Sequence, residues 1–130
     1  MGEVWKRQVT VTGKKPNQKL TISHEPGKNK GNPPGRTDGA NVIKVRTADR
    51  KGGGAKVKYY IGTKGLQLTG VRFAPPTIPA GLSAEVRGAG EMLWLIDKGS
   101  AGDVYDYLIM GSYDGASIES PDPEIHNEDE

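Results

Sequence analysis

Two histidines are the side chains best suited to acid–base or metal chemistry here, because the chain contains no cysteine. His24 stands beside Glu25, and His126 lies in an acidic segment at the far end of the sequence. Neither has a second histidine at metal-ligand spacing, so a zinc centre would need both together with carboxylates from distant parts of the chain. We therefore predict no metal and no cofactor, and a metal-dependent enzyme is the least favoured function.

Three glycine-containing segments invite comparison with catalytic or phosphate-binding loops. Residues 111–115, Gly-Ser-Tyr-Asp-Gly, place the serine one position too early for a nucleophile elbow. Residues 52–57 lack the spacing and the Lys-Ser/Thr ending of a Walker loop, and residues 88–90 are not followed by the third glycine of a dinucleotide fingerprint. All three are better interpreted as turns. No catalytic residue is identified, and the protein is predicted not to be an enzyme.

Three aspartates lie close together in the sequence at Asp97, Asp103 and Asp106. Carboxylate oxygens are the ligands that calcium prefers, so these residues could contribute to a calcium site. However, they do not have EF-hand spacing, and aspartates in loops commonly cap turns. We therefore predict turn-capping roles and no metal site for them.

The elements that position these residues are predicted to be β-strands. Apolar and polar residues alternate with a period of two in residues 4–12, 57–61 and 105–110, and no sustained helical stripe is present. Gly70, where the apolar phase flips, predicts a β-bulge, and residues 114–115, Asp-Gly, predict a hairpin turn. Residues 92–96 are apolar at every position, which predicts a central strand covered on both faces.

Together the strands predict an all-β, immunoglobulin-like β-sandwich of about 8–9 short antiparallel strands, with a barrel as the alternative. The length fits a single domain, which we place at residues 1–120, followed by an extended acidic tail at 121–130. Residues 24–40, which are rich in glycine and proline, are predicted to form a long loop that is either disordered or functional. No apolar run approaches the length of a membrane span, so we expect no membrane association and a cytoplasmic location.

Charge is divided sharply along the chain. Residues 1–65 contain 15 Lys and Arg against 4 Asp and Glu, whereas residues 66–130 contain 3 against 12. Basic residues in the turns could neutralise the phosphates of a polyanion, or they could simply be solvated. The candidate anion-binding residues are Lys14, Lys15, Lys28, Lys30, Arg36, Arg50 and Lys51. The basic half of one copy could also contact the acidic half of another.

The tail has two interpretations. Its prolines favour an extended backbone, and Ile125 is the only sizeable apolar side chain beyond Ile118. The tail could dock on its own domain or on a neighbour through Asp122, Pro123 and Ile125. The alternative is a frayed acidic terminus.

The last third of the chain resembles a known family. The ordered features are residues 95–98 (Leu-Ile-Asp-Lys), residues 103–107 (Asp-Val-Tyr-Asp-Tyr), the Asp-Gly turn, and Asp122-Pro123 followed by Glu128. This pattern, over residues 92–128, is similar to the DP-EP family of small uncharacterised bacterial proteins, and more loosely to bacterial inclusion-body proteins. Asp129 stands where the family has its second proline. The resemblance implies a β-sandwich of unassigned function, with no catalytic residues to carry over.

Taken together, these features favour a non-enzymatic protein that acts through protein–protein contact or self-association, with a homo-oligomer or another protein as the partner. The alternative function is binding of nucleic acid or another polyanion through the basic turns.

Overall fold

A computed structural model describes residues 4–14, 17–24, 42–51, 53–73, 81–99, 102–120 and 123–127, and it confirms the predicted all-β class. These residues form ten strands: β1 (Val4–Thr12), β2 (Lys19–His24), β3 (Val42–Val45), β4 (Ala55–Ile61), β5 (Gln67–Phe73), β6 (Leu82–Arg87), β7 (Met92–Asp97), β8 (Val104–Tyr113), β9 (Ala116–Glu119) and β10 (Glu124–Asn127). Two short 3-10 segments, Thr47–Arg50 and Gly88–Gly90, lie between strands. Within the described ranges, no helix is long and apolar enough to cross a membrane.

The strands form two sheets. The first has the order β2-β1-β4-β7-β6, and the second has the order β3-β10-β8-β5, with β9 paired to β8. The expectation of purely antiparallel strands is wrong, because β1 pairs with β4 and β3 pairs with β10 in parallel. Parallel strands begin at the same end of a sheet. In each of these pairs, the chain returns to that end before the second strand of the pair begins. The immunoglobulin-like strand order stays a prediction.

The core lies between the inward faces of the two sheets. Alternate residues of β1 and β4 are buried, including Trp5, Val57 and Tyr59, as the period-two pattern predicts. Buried side chains from both sheets form one apolar cluster. The hydroxyls of Tyr59 on β4 and Tyr107 on β8 lie 2.6 Å apart, which joins the two sheets directly. Burial raises the pKa of Tyr59 to about 12, so both hydroxyls stay protonated near neutral pH.

The inward face of β1 also contains a charged residue. Arg7 is fully buried between Trp5 and Val9, and its Nη1 donates to the carbonyl oxygen of Lys6 at 2.8 Å. Burial lowers the pKa of Arg7, against the opposing effect of Tyr59 and Tyr107. The sandwich therefore has a polar centre of one guanidinium and two phenols within its apolar core.

The structure confirms two local predictions from the sequence and contradicts a third. The β5–β8 register shifts between Leu68 and Gly70, which confirms the bulge. The 114–115 turn joins β8 to β9 with positive φ at both residues, as a type I′ hairpin requires. The prediction that residues 92–96 are covered on both faces is wrong, because Met92, Trp94 and Ile96 are only half-buried. Lysine and arginine side chains, rather than a second layer, lie over Trp94.

The segment interpreted as a tail contributes an interior strand. β10 lies between β3 and β8, and its Ile125 is fully buried. Pro123 is also buried, and its carbonyl oxygen accepts a hydrogen bond from the backbone N–H of Tyr107 at 3.2 Å. The loop predicted at 24–40 begins later than expected, because His24 ends β2, and residues 25–40 and Asp122 lie outside the described residues.

Candidate functional site

The basic turns do not converge on one site among the described residues. Lys14 is exposed just after β1, and Lys51 is exposed before β4. Because β1 and β4 are parallel, the end of one strand and the start of the other lie at opposite ends of the sheet. Arg50 is half-buried and donates to the carbonyl oxygen of Val45 at 3.0 Å, which is a structural role. Lys15, Lys28, Lys30 and Arg36 lie outside the described residues.

Basic side chains gather instead on the outward face of the first sheet. Lys6, Lys58 and Trp94 are neighbours across β1, β4 and β7, and Lys56 precedes Lys58 on the same face. Arg87 lies on the edge strand β6, opposite Met92 of β7. We refer to Lys6, Lys56, Lys58, Arg87 and Trp94 as the cationic face. Alternate residues are about 6.6 Å apart along a strand. The cationic face is therefore long enough to contact more than one repeating unit of an extended ligand.

Trp94 is the centre of this face. The Lys58 Nζ lies 4.1 Å from the centre of the Trp94 ring, and the Arg87 Cζ lies 3.8 Å from it. Glu85 holds the Arg87 guanidinium with contacts of 2.8 to 3.1 Å. A guanidinium stacks readily on an aromatic ring, and the carboxylate fixes its orientation. The result is a cationic platform around Trp94 on the outward side of the sheet.

Positive charge is concentrated around Lys58. Its pKa is lowered, first by burial and then by the nearby charges of Lys56, Lys6 and Arg87. Several cations thus compete for the same solvent, and a bound anion would relieve their repulsion. Glu85 is the carboxylate in these rows, and it is paired with Arg87.

A groove continues the cationic face beyond Lys56. It has a volume of about 440 Å³ and is lined by Gly53, Lys56, Gly81, Leu82, Ser83, Ile96 and Lys98. Lys56 and Lys98 supply positive charge, and Ser83 supplies a hydroxyl group. Leu82 and Ile96 give it apolar surface. Ligand sites typically combine an apolar lining with a few polar groups in this way.

The outward face of the second sheet carries several carboxylates. Asp106, Glu119 and Glu124 project from this side of β8, β9 and β10. Val104, on the same face, is 54% exposed, which is unusual for an apolar strand residue. We refer to Val104, Asp106, Glu119 and Glu124 as the acidic face. This face also has basic groups, because Glu119 pairs with Arg72 at 3.0 Å, Glu124 contacts His126 at 2.6 Å, and Lys44 lies beside His126, so its charge is mixed.

Sequence reasoning missed the cationic face because it treated lysines on strands as the solvated side of an alternating pattern. A usable signal was present: Lys56 and Lys58 repeat with a period of two, and Trp94 stands in an apolar strand. What was missing was the pairing that makes Lys58 a neighbour of Lys6 and Trp94. His126 contacts Glu124 at 2.6 Å on the outward side of the second sheet, so it does not belong to the cationic face.

Comparison with known proteins leaves the family open. No family model matches the chain, and no curated protein matches it significantly in sequence. The similarity to the DP-EP family therefore stays a prediction from residues 92–128.

Proposed function

We propose that the protein binds single-stranded nucleic acid on the cationic face. The observation that supports this function is the stack of Arg87 and Lys58 on Trp94, bordered by Lys6 and Lys56. Proteins that bind single strands combine cations for the phosphate backbone with planar groups on which bases stack. A flat sheet face also suits an extended strand, whereas a duplex needs an element that enters a groove.

The positions of these side chains suggest a separate role for each in binding. Lys6, Lys56 and Lys58 neutralise phosphates, and the guanidinium of Arg87 offers its outer plane to a base. The groove beside Lys56 and Lys98 accepts the next unit of the chain. Contacts of this kind read little sequence, so binding is expected to be weakly selective and strongly dependent on salt.

Titration of a fluorescein-labelled deoxythymidine 12-mer, followed by fluorescence polarisation, tests this function. We expect saturable binding at about 50 mM salt that weakens markedly at about 200 mM, because phosphate contacts release counterions. Trp94→Ala should weaken binding by about 1–3 kcal/mol, because Arg87 loses the ring that holds its guanidinium in place as a stacking surface. The double variant K56Q/K58Q should weaken binding and reduce its salt dependence.

The matched control is K14Q/K51Q, which removes the same charge from two exposed turns at opposite ends of the sheet. It should bind nearly as the unmodified protein does. Equal losses in both double variants would show that net charge, and not this face, attracts the oligonucleotide. No binding at low salt would refute the function.

A second candidate function is head-to-tail self-association, which the cationic face and the exposed Val104 and Asp106 of the other sheet favour. The cationic face of one copy would contact the acidic face of the next, with Val104 buried between them. Such a contact is heterologous, so it extends into open chains unless its rotation closes a ring. Nucleic acid would compete for the same lysines.

Light scattering after size-exclusion chromatography distinguishes this second candidate. We expect oligomers at low salt that dissociate at high salt, because the contact is electrostatic. The variant V104S/D106N changes only the acidic face, so it should reduce association and leave oligonucleotide binding intact. A particle of one chain, 13.9 kDa, under both salt conditions would end this alternative.

A further inference from the structure

A second aromatic ring lies on the outward side of the first sheet, next to the cationic face. The two adjacent tyrosines of β4 point to opposite sides of the sheet: Tyr59 is fully buried in the core, and Tyr60 is half-buried on the outward side. Tyr60 pairs with Met92 of β7 on one side and with Gln8 of β1 on the other. It follows Lys58 by two residues, so these two side chains share one face of β4.

This ring lies diagonally across from Trp94. Trp94 pairs with Lys58, and Tyr60 is the next outward residue along the same strand. Diagonal neighbours in an antiparallel pair are about 7–8 Å apart, which is within reach of aromatic side chains. Lys58, whose Nζ lies 4.1 Å from the centre of the Trp94 ring, therefore has an aromatic residue beside it in both directions. In a nucleic acid each internal phosphate likewise joins two nucleosides, so this arrangement fits two successive nucleotides.

The Gln8 carboxamide lies one outward position beyond Tyr60. Gly62 continues the ladder after β4, with its N–H donating to the carbonyl oxygen of Val9 at 2.7 Å. A Cβ at Gly62 would lie 2.5 Å from the Gln8 Cδ and 2.6 Å from its Nε2, so the Gln8 side chain occupies the space that the glycine leaves open. Gln8 is half-buried, and within the described ranges no other group pairs with its amide. The amide therefore keeps a donor and an acceptor for a ligand.

We infer that Tyr60 and Gln8 form a second base site on the proposed nucleic-acid surface, and that this site prefers adenine. The inference rests on the proposed function and adds selectivity to it. One base stacks on Tyr60 and places its edge against the Gln8 amide, as unstacked bases of single strands are commonly bound. Lys58 contacts the phosphate between this base and the one at Arg87 and Trp94.

The preference for adenine follows from the pattern of donors and acceptors. A carboxamide offers a donor beside an acceptor, and adenine presents the complementary pair, the N7 acceptor and the N6 amino donor. Guanine presents two acceptors, N7 and O6, on the corresponding edge. Pyrimidines have no N7 and cover less of an aromatic ring. Gln8 is therefore the residue of this face that distinguishes one base from another.

Polarisation titrations of fluorescein-labelled 12-mers of deoxyadenosine and deoxythymidine test the role of Gln8. At about 50 mM salt we expect the unmodified protein to bind the deoxyadenosine 12-mer about fivefold or more tightly. Gln8→Ala should remove this preference and leave binding of the deoxythymidine 12-mer nearly unchanged. Gln67→Ala is the matched control, because it deletes an exposed carboxamide from β5 of the other sheet, and it should keep the preference.

Substitutions of Tyr60 test the stacking surface. Tyr60→Leu keeps an apolar side chain without the ring, so it should weaken binding of both 12-mers about fivefold or more. Because no charge changes, the salt dependence should stay as it is, in contrast to K56Q/K58Q. Tyr60→Phe retains the ring and should bind as the unmodified protein does. Circular dichroism shows whether each variant is folded, and Gln8→Ala decides the question if Tyr60→Leu is not.

The outcomes separate this inference from the function on which it rests. Unchanged binding by folded Tyr60→Leu, or a preference for adenine that persists in Gln8→Ala, would overturn the second base site. Losses in Trp94→Ala and K56Q/K58Q would support the proposed function even then. Absence of binding by the unmodified protein would overturn both.

Discussion

Truncation of the chain after Ser120 is expected to abolish the folded state, because it removes an interior strand of the second sheet. β10 pairs with β3 over residues 42–45 and with β8 over residues 104–106. Without it, β3 loses its ladder partner and the buried Ile43, Val45 and Tyr105 become accessible to water. A domain of this size is stabilised by only about 5–15 kcal/mol, so losses of this extent exceed what it can tolerate.

Substitutions that shorten the Ile125 side chain to different extents test how much β10 contributes to stability. Ile125 is fully buried, so Ile125→Ala should lower the free energy of unfolding by about 2–5 kcal/mol and Ile125→Val by about 0.5–1.5 kcal/mol. Urea unfolding followed by circular dichroism measures both. Glu124→Gln, at a half-exposed neighbouring position, is the control and should change stability little. A truncated chain with an unchanged unfolding midpoint would show that β10 contributes nothing to the fold.

Gly99→Ala is expected to cause the next largest loss. The backbone of Gly99 passes against the Tyr105 hydroxyl, and a Cβ there would overlap that oxygen. The Asp103 carboxylate and the Asn127 amide close the other sides at 2.8 and 3.1 Å from the same point. Inserting a methyl group into such a site typically costs about 1–3 kcal/mol, and here it also disturbs hydrogen bonds of buried groups. Urea unfolding measures the loss.

The control for this variant is Y105F/G99A, which deletes the oxygen that the methyl group would meet. It should recover part of the stability lost in Gly99→Ala. Tyr105→Phe alone gives the baseline for that comparison. If the double variant were no more stable than the sum of the single losses predicts, steric overlap with the hydroxyl would not be the cause.

The fold class could be predicted because burial on one side of a strand makes apolar and polar residues alternate in the sequence. β1 and β4 alternate with a period of two, Gly70 stands where the register shifts, and the 114–115 turn needs positive φ. Each of these signals is local. None depends on knowing which strand lies beside which.

The parts that could not be predicted depend on contacts between distant residues. Arg7 alternates with Trp5 and Val9 yet carries a charge, so only the environment of Tyr59 and Tyr107 reveals that it is buried. β10 is short and is surrounded by acidic residues and prolines, which resemble a solvated terminus. The cationic face arises from the parallel pairing of β1 with β4, and the cluster around Gly99 from the proximity of three loop ends.

The position of β10 also bears on the order in which the protein can assemble during synthesis. β3 and residues 104–106 of β8 are synthesised before β10, the strand that lies between them. Until residues 124–127 leave the ribosome, these two strands have open backbone edges and exposed apolar side chains. Open edges of this kind are where partially folded β proteins associate wrongly. The nascent chain therefore passes through an aggregation-prone interval that ends when β10 is inserted, and the demand for chaperones should be highest in that interval.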